Sequence, residues 1–265
     1  MKSMKAWNQW RQGGAVPIGN RPPPRTGLYG AILMACVSWL AAAPAAASTF
    51  NIAPIRANLD TSHHTEALTL ANAEDEPVIV QVKVMRWSQA GGEDRLEETR
   101  DILATPPVLQ LAPKAEQIVR VALRKSPDAV RELSYRVVFQ EVPQAPSKDF
   151  QGLRVALRLS VPVFIAPASG KPKADLSWES RWLDDGRLEL SATNHGSAHL
   201  QITDFDVAIG PDADLLKGQT ARYVLPGSRM SWVLTPDAPV PHQGPIKVHG
   251  HTDQGEFSAQ VVDSL

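Results

Sequence analysis

Cysteine is nearly absent: the 265 residues hold one, Cys36. No disulfide can form within the chain, so stability must come from a packed core. Acidic side chains are missing altogether from the first 47 residues, which carry five basic ones. Gly-x-Ser-x-Gly, phosphate-cradling loops and dinucleotide fingerprints do not occur, and no Ser-His-Asp arrangement is signalled. The sequence therefore signals no enzyme and no cofactor. Beyond residue 47 no apolar stretch is long enough to span a bilayer. No sustained 3.6-residue hydrophobic period runs there either, which argues against a helical architecture.

What is present begins with a leader. An apolar run of roughly 16 residues, Leu28 to Ala43, follows the basic segment and leads into Ala45-Ala46-Ala47. Small residues at Ala45 and Ala47 fit a signal-peptidase groove, so residues 1–47 are expected to be a signal peptide cleaved after Ala47. The basic segment is unusually long, and a later start or an extended leader would both account for it. Leu33-Met34-Ala35-Cys36 also resembles a lipoprotein processing box, but cleavage after Ala47 uses the whole apolar run and removes Cys36. Ser48 to Leu265 then carries 22 basic and 28 acidic side chains, a net charge of −6. That balance disfavours nucleic acid as a partner, and the length suits two domains of about 100 residues.

Short runs of alternating apolar residues, bounded by Pro, Gly, Asn and Asp, make the chain all-β. Strands are expected over Phe50 to Ile55, Ala67 to Asn72, Val78 to Trp87, Gln117 to Leu123, Tyr135 to Val142 and Leu153 to Phe164. Ala166 to Pro172 breaks the pattern with linker residues. Strands resume over Leu176 to Trp182, Arg187 to Thr193, His199 to Ile209, Arg222 to Leu225, Ser231 to Leu234, Ile246 to His251 and Glu256 to Val262. Asp184-Asp185-Gly186 marks a hairpin turn. Two immunoglobulin-like β-sandwiches are expected, residues 48–167 and 168–265, joined at an elbow with a cleft between them.

Eight segments occur together in one order. They are Phe50-Asn-Ile-Ala-Pro-Ile-Arg56, Val84-Met-Arg-Trp-Ser-Gln89, Ala104-Thr-Pro-Pro107, Gln117-Ile-Val-Arg120 and Glu132 to Pro143, followed by Val161-Pro-Val-Phe-Ile-Ala-Pro167, Val224-Leu-Pro-Gly-Ser228 and Thr252-Asp-Gln-Gly255. In these the chain resembles the periplasmic chaperones of chaperone-usher pilus systems. Arg-Trp-Ser-Gln and Val-Pro-Val-Phe are closer to the divergent branch associated with archaic pili. The resemblance implies a periplasmic, non-enzymatic protein whose partners are pilus subunits and an outer-membrane usher, with no membrane insertion after leader cleavage. It implies donor-strand complementation, in which the last strand of domain one fills the gap left by a subunit's missing strand. The residues suit this independently: Leu153, Val155, Leu157 and Leu159 alternate with Arg154, Ala156, Arg158 and Ser160. Burying four such side chains is worth a gross ~6 to 12 kcal/mol, before ordering and association costs. The other reading is that the row covers the domain's own core.

In the better-known branch of that family an arginine of the first strand and a lysine of the donor strand hold the subunit's terminal carboxylate. Arg56 matches the arginine, but Pro162 stands at the lysine position and can supply neither charge nor N–H. Arg86 is the candidate for the second cation, with a solvated surface arginine as the plain alternative. Family members also link the two domains through a glutamate, an arginine and an aspartate. Glu132 and Asp253 fill the acidic positions, whereas Ala166 replaces the arginine, leaving Arg131, Lys171 or Lys173 as substitutes or the elbow to packing. His249 and His251 alternate onto one strand face, but two ligands do not make a metal site and none is expected. Two further functional classes stay open: a secreted surface or pilus subunit, and a periplasmic metal-binding sandwich.

Overall fold

The computed structural model describes residues 50–143, 155–210, 214–236 and 244–263, all within one compact unit, Ala47–Leu265. The expected signal peptide lies outside the described residues, as does Leu153. Seventeen strands and no helix make up the described chain.

In the first half these are β1 (Phe50–Ala53), β2 (Ala57–Leu59), β3 (Thr65–Asn72), β4 (Val78–Ala90), β5 (Glu93–Glu98), β6 (Ile102–Thr105), β7 (Val108–Leu111), β8 (Glu116–Leu123), β9 (Leu133–Glu141) and β10 (Arg158–Ile165). One sheet has the order β1-β3-β8-β6; the facing sheet has the order β2-β10-β9-β4-β5, with β7 also on β4. Alternation decides which side chains meet between them. Val78, Val80 and Val82 of β4, Val137 and Phe139 of β9, and Val161, Val163 and Ile165 of β10 face Leu68, Leu70, Val119 and Val121 in one core.

The second half holds β11 (Leu176–Trp182), β12 (Leu188–Asn194), β13 (Leu200–Ile209), β14 (Asp214–Val224), β15 (Arg229–Leu234), β16 (Ile246–Thr252) and β17 (Gly255–Asp263). They form one continuous sheet in the order β14-β13-β16-β17-β11-β12-β15. It folds over a second core, where the Trp178 ring of β11 lies 5.3 Å from Phe257 of β17, 6.2 Å from Phe205 of β13 and 5.9 Å from Trp232 of β15. The hairpin turn at Asp184-Asp185-Gly186 joins β11 to β12, with Gly186 at φ 79° where a side chain would be strained.

The structure adds β2, β5, β6 and β7, which the expected strands do not include. β5 reads Glu-Asp-Arg-Leu-Glu-Glu, an exposed strand with no apolar alternation to reveal it. It is held by pairing with β4 through the glycine turn at Gly91 and Gly92. β10 begins at Arg158, later than the expected Leu153, and β14 is a strand of 11 residues, longer than the expected Arg222 to Leu225.

Candidate partner-binding site

β10 has two edges with different fates. Along one, all eight residues from Arg158 to Ile165 pair antiparallel with β9. Along the other, β2 pairs only with Val163, Phe164 and Ile165, so among the described residues Arg158 to Pro162 have an open edge. A proline is tolerated within a strand at such an edge, and Pro162 sits there. The aliphatic row follows the same gradient. Val161, Val163 and Ile165 are buried, Leu157 and Leu159 are half-buried at the rim of the same core, and Val155 is 68% exposed. The two readings of the row thus divide along its length.

The opposite face of β10 turns to the second sandwich. Phe164, 2% exposed, forms a small separate cluster with Trp87 of β4 and Leu225. Its ring is stacked on His199 with centroids 3.5 Å apart and planes within 8°. Tyr223 of β14 meets Trp87 edge-on at 5.3 Å, and Gln89 ties the layers by donating to the Tyr223 carbonyl and accepting from the Leu225 N–H. These contacts between residues more than 100 positions apart fix one sandwich against the other.

Arg56 lies in the turn between β1 and β2, beside this cluster. Its guanidinium donates to Asp253 at 2.7 Å, Gln201 at 2.9 Å and the Tyr223 hydroxyl at 3.1 Å. Burial pulls its pKa down, but the hydrogen bonds to Asp253 and Tyr223 outweigh that and hold it above the ordinary arginine value. Glu132 and Asp253 both lie at this interface, and the side chains placed against them are the Arg56 guanidinium and the His199 imidazole, not Arg131, Lys171 or Lys173. His199 Nδ1 is 2.6 Å from Glu132 and its Nε2 is 3.8 Å from Asp253. Sequence reasoning missed His199. It is flanked by Ala198 and Leu200 at a strand start, and its partners are 67 and 54 positions away.

Arg86 is paired within its own sandwich. It bonds Asp101 at 2.6 Å, the same carboxylate oxygen that accepts from the Tyr135 hydroxyl at 3.0 Å. Burial opposes ionisation of Asp101, yet hydrogen bonds from Arg86 and Tyr135 more than offset it and hold this carboxyl below its ordinary value. Burial, then the Asp101 hydrogen bond, pushes the Tyr135 hydroxyl well above the ordinary tyrosine value. Arg86 and Lys125 line an open groove of about 240 Å³ with Trp87, Gln89 and Leu225.

A second residue that sequence reasoning missed is Arg136 of β9. It is the register partner of Pro162, so it stands beside the position where a lysine is lacking. Its guanidinium lies 3.7 Å from the centroid of Trp87 and 5.7 Å from that of Tyr223, the ring that also flanks Arg56 at 5.5 Å. Among the described residues no hydrogen bond or ion pair engages it. Burial lowers its pKa, with Asp94 and Tyr223 opposing. A half-buried cation that lies against aromatic rings and has no ion pair among the described residues can still take an anion. The available signal was a lone basic residue inside the apolar run Tyr135 to Phe139.

Residues 49–171 match the model of the pili and flagellar-assembly chaperones, PapD N-terminal domain. The match spans the first sandwich. The fold of the whole described chain is that of solved pilus chaperones. A chain of the CsuC–CsuE chaperone and tip-subunit complex, from the archaic chaperone-usher Csu pili of Acinetobacter baumannii, is 21% identical with a TM-score of 0.61, covering 82% of this chain and 100% of that one. The YadV chaperone is 20% identical with a TM-score of 0.57, covering 80% and 98%. A chain of the Salmonella enterica SafA pilin complex with the SafB chaperone is 16% identical with a TM-score of 0.56, covering 80% and 96%. No curated protein matches the sequence. The sandwich that matches this model carries both the open edge of β10 and the two arginines near it.

Among the described residues no group of three or more metal-ligating side chains is arranged to hold an ion. His251 bonds Asp204 at 2.8 Å and His249 lies 3.6 Å from Asp206, each as a separate surface pair.

Proposed function

We propose that the protein is a periplasmic chaperone that captures pilus subunits by lending them the segment from Leu153 to Leu159, and hands them to an outer-membrane usher. The observation that carries this reading is the open edge of β10, whose aliphatic row leaves its own core toward Val155. A subunit's unpaired strand can bond that edge while Val155, Leu157 and Leu159 fill its groove. Binding is non-enzymatic and needs no cofactor. The domains proposed are a signal peptide to Ala47, a strand-lending sandwich over 48–167 and a second sandwich over 168–265. The two separate cores and sheets on either side of the elbow support that division.

The subunit's terminal carboxylate is held by Arg56 with Arg136 as the second cation. Arg136 is favoured over Arg86 because Arg86 is bonded to Asp101 at 2.6 Å whereas no carboxylate among the described residues forms a hydrogen bond or ion pair with Arg136. Glu132 and Asp253 set the domain interface. Arg136→Gln should leave the free protein folded and reduce recovery of a co-expressed pilus subunit by roughly tenfold or more, the loss expected for a charged hydrogen bond of ~1.5 to 3 kcal/mol. Arg86→Gln should have a smaller effect on recovery. The reverse ranking would return the second-cation role to Arg86.

A further inference from the structure

Asp253 is shared. Its Oδ2 accepts from Arg56 Nη1 at 2.7 Å and lies 3.8 Å from His199 Nε2, while its Oδ1 accepts from the Gln201 N–H at 3.0 Å. His199 is tightly held on its other side: Glu132 Oε1 takes both the His199 backbone N–H at 3.1 Å and Nδ1 at 2.6 Å. An ionised carboxylate can only accept, so Nδ1 carries a hydrogen. Nε2 is fully buried and has no hydrogen-bond partner among the described residues. A buried ring nitrogen left unpaired within reach of a carboxylate is costly unless another state of the molecule uses it.

We infer that His199 is a proton-linked switch at the carboxylate anchor. When Arg56 turns from Asp253 to a bound carboxylate, Nε2 takes a proton from solvent and the resulting imidazolium replaces Arg56 as the cation on Asp253. The inference rests on the anchor role given to Arg56 above. The groups around the ring are Glu132 from the segment before β9, Asp253 from the turn between β16 and β17, Arg56 beyond Asp253, the Tyr223 ring at 5.5 Å and the Phe164 ring beneath. Two carboxylates face one arginine and one histidine. Withdrawing the arginine leaves two negative charges on the imidazole, the arrangement that favours its charged form. Proton uptake on binding makes capture tighter as pH falls, by up to about tenfold per pH unit for one proton.

The test reads the His199 ring by NMR titration in the full mature chain. Arg56→Gln vacates Asp253 as a bound carboxylate would, and should raise the His199 midpoint by about one pH unit. In an Asp253→Asn background the same substitution should move it by less than about a third of that. Arg56→Lys serves in the same cycle should Arg56→Gln fail to fold. Equal shifts in both backgrounds, or none in either, would overturn the switch. A second arm follows recovery of a pilus subunit at pH 6 and pH 8: the wild type should capture more at pH 6, and His199→Gln should capture equally at both. Equal capture by the wild type at both pH values also counts against the switch. The titration needs no subunit, so its failure would leave the chaperone reading standing. Absence of any capture alongside a positive titration would instead strike that reading.

Discussion

The two halves of β10 share one alternation of aliphatic side chains and differ in what lies beside them. At Val163 and Ile165 the strand is paired on both edges and its side chains are fully buried. At Arg158 to Pro162 one edge is open, Leu159 is half-buried, and by Val155 the side chain is 68% exposed. On the proposed function, this contrast is what lets a single strand serve two hosts. Beyond the end of β2 the strand keeps its pairing with β9 and leaves its other edge open, the edge that the proposed function gives to a subunit.

The largest effect expected from that contrast is at the closed half. Val163→Glu places a carboxylate at a position with 0% exposure, without a partner, at a cost of several kcal/mol. That approaches the whole stability of a domain, about 5–15 kcal/mol. The first sandwich should lose its cooperative thermal transition, and a native-like melt would break the contrast from the buried side.

A smaller effect is expected at the rim. Leu159→Ala should lower stability by about 1–2 kcal/mol in urea unfolding, short of the ~2–5 kcal/mol of a fully buried leucine. A loss as large as that of a core leucine would mean that the row belongs to the protein's own core throughout.

The smallest effect concerns an exposed pair of the second sandwich, His251 and Asp204, which serves as a control for pH. The hydrogen bond to Asp204 raises the His251 pKa, and the bond from His251 lowers that of Asp204. The sign follows from linkage. A raised histidine contributes stability present below its unfolded value and lost as pH rises through its folded value. The lowered carboxyl contributes stability present above its unfolded value and lost as pH falls through its folded one. The pair therefore helps between those limits, and Asp204→Asn should flatten the fall of the thermal midpoint above neutral pH without touching subunit capture. An altered capture would show that the second sandwich's outer face takes part in binding.

Much of this was legible in the sequence because sandwich strands announce themselves by alternation, as in Val78 to Val82 and Leu188 to Ala192. β5 was not, since its six residues are mostly charged and its pairing comes from the Gly91-Gly92 turn. Arg56 was legible through a motif. Arg136 and His199 were not, because their importance arises from distant elements: Trp87 and Tyr223 around one, Glu132 and Asp253 around the other. In place of the cation missing at Ala166, Arg56 meets Asp253 and the His199 ring meets Glu132, a replacement that local sequence cannot express.

The most direct test of the lending strand is Val155→Glu, measured twice on the same preparation. Because Val155 is exposed in the free protein, its thermal midpoint should stay within about 2 °C of the wild type, as for surface substitutions within ±0.5 kcal/mol. Recovery of a co-expressed pilus subunit should be abolished, since the carboxylate would have to be buried unpaired in the subunit's groove. A folded Val155→Glu protein that still carries a stoichiometric subunit would contradict the account.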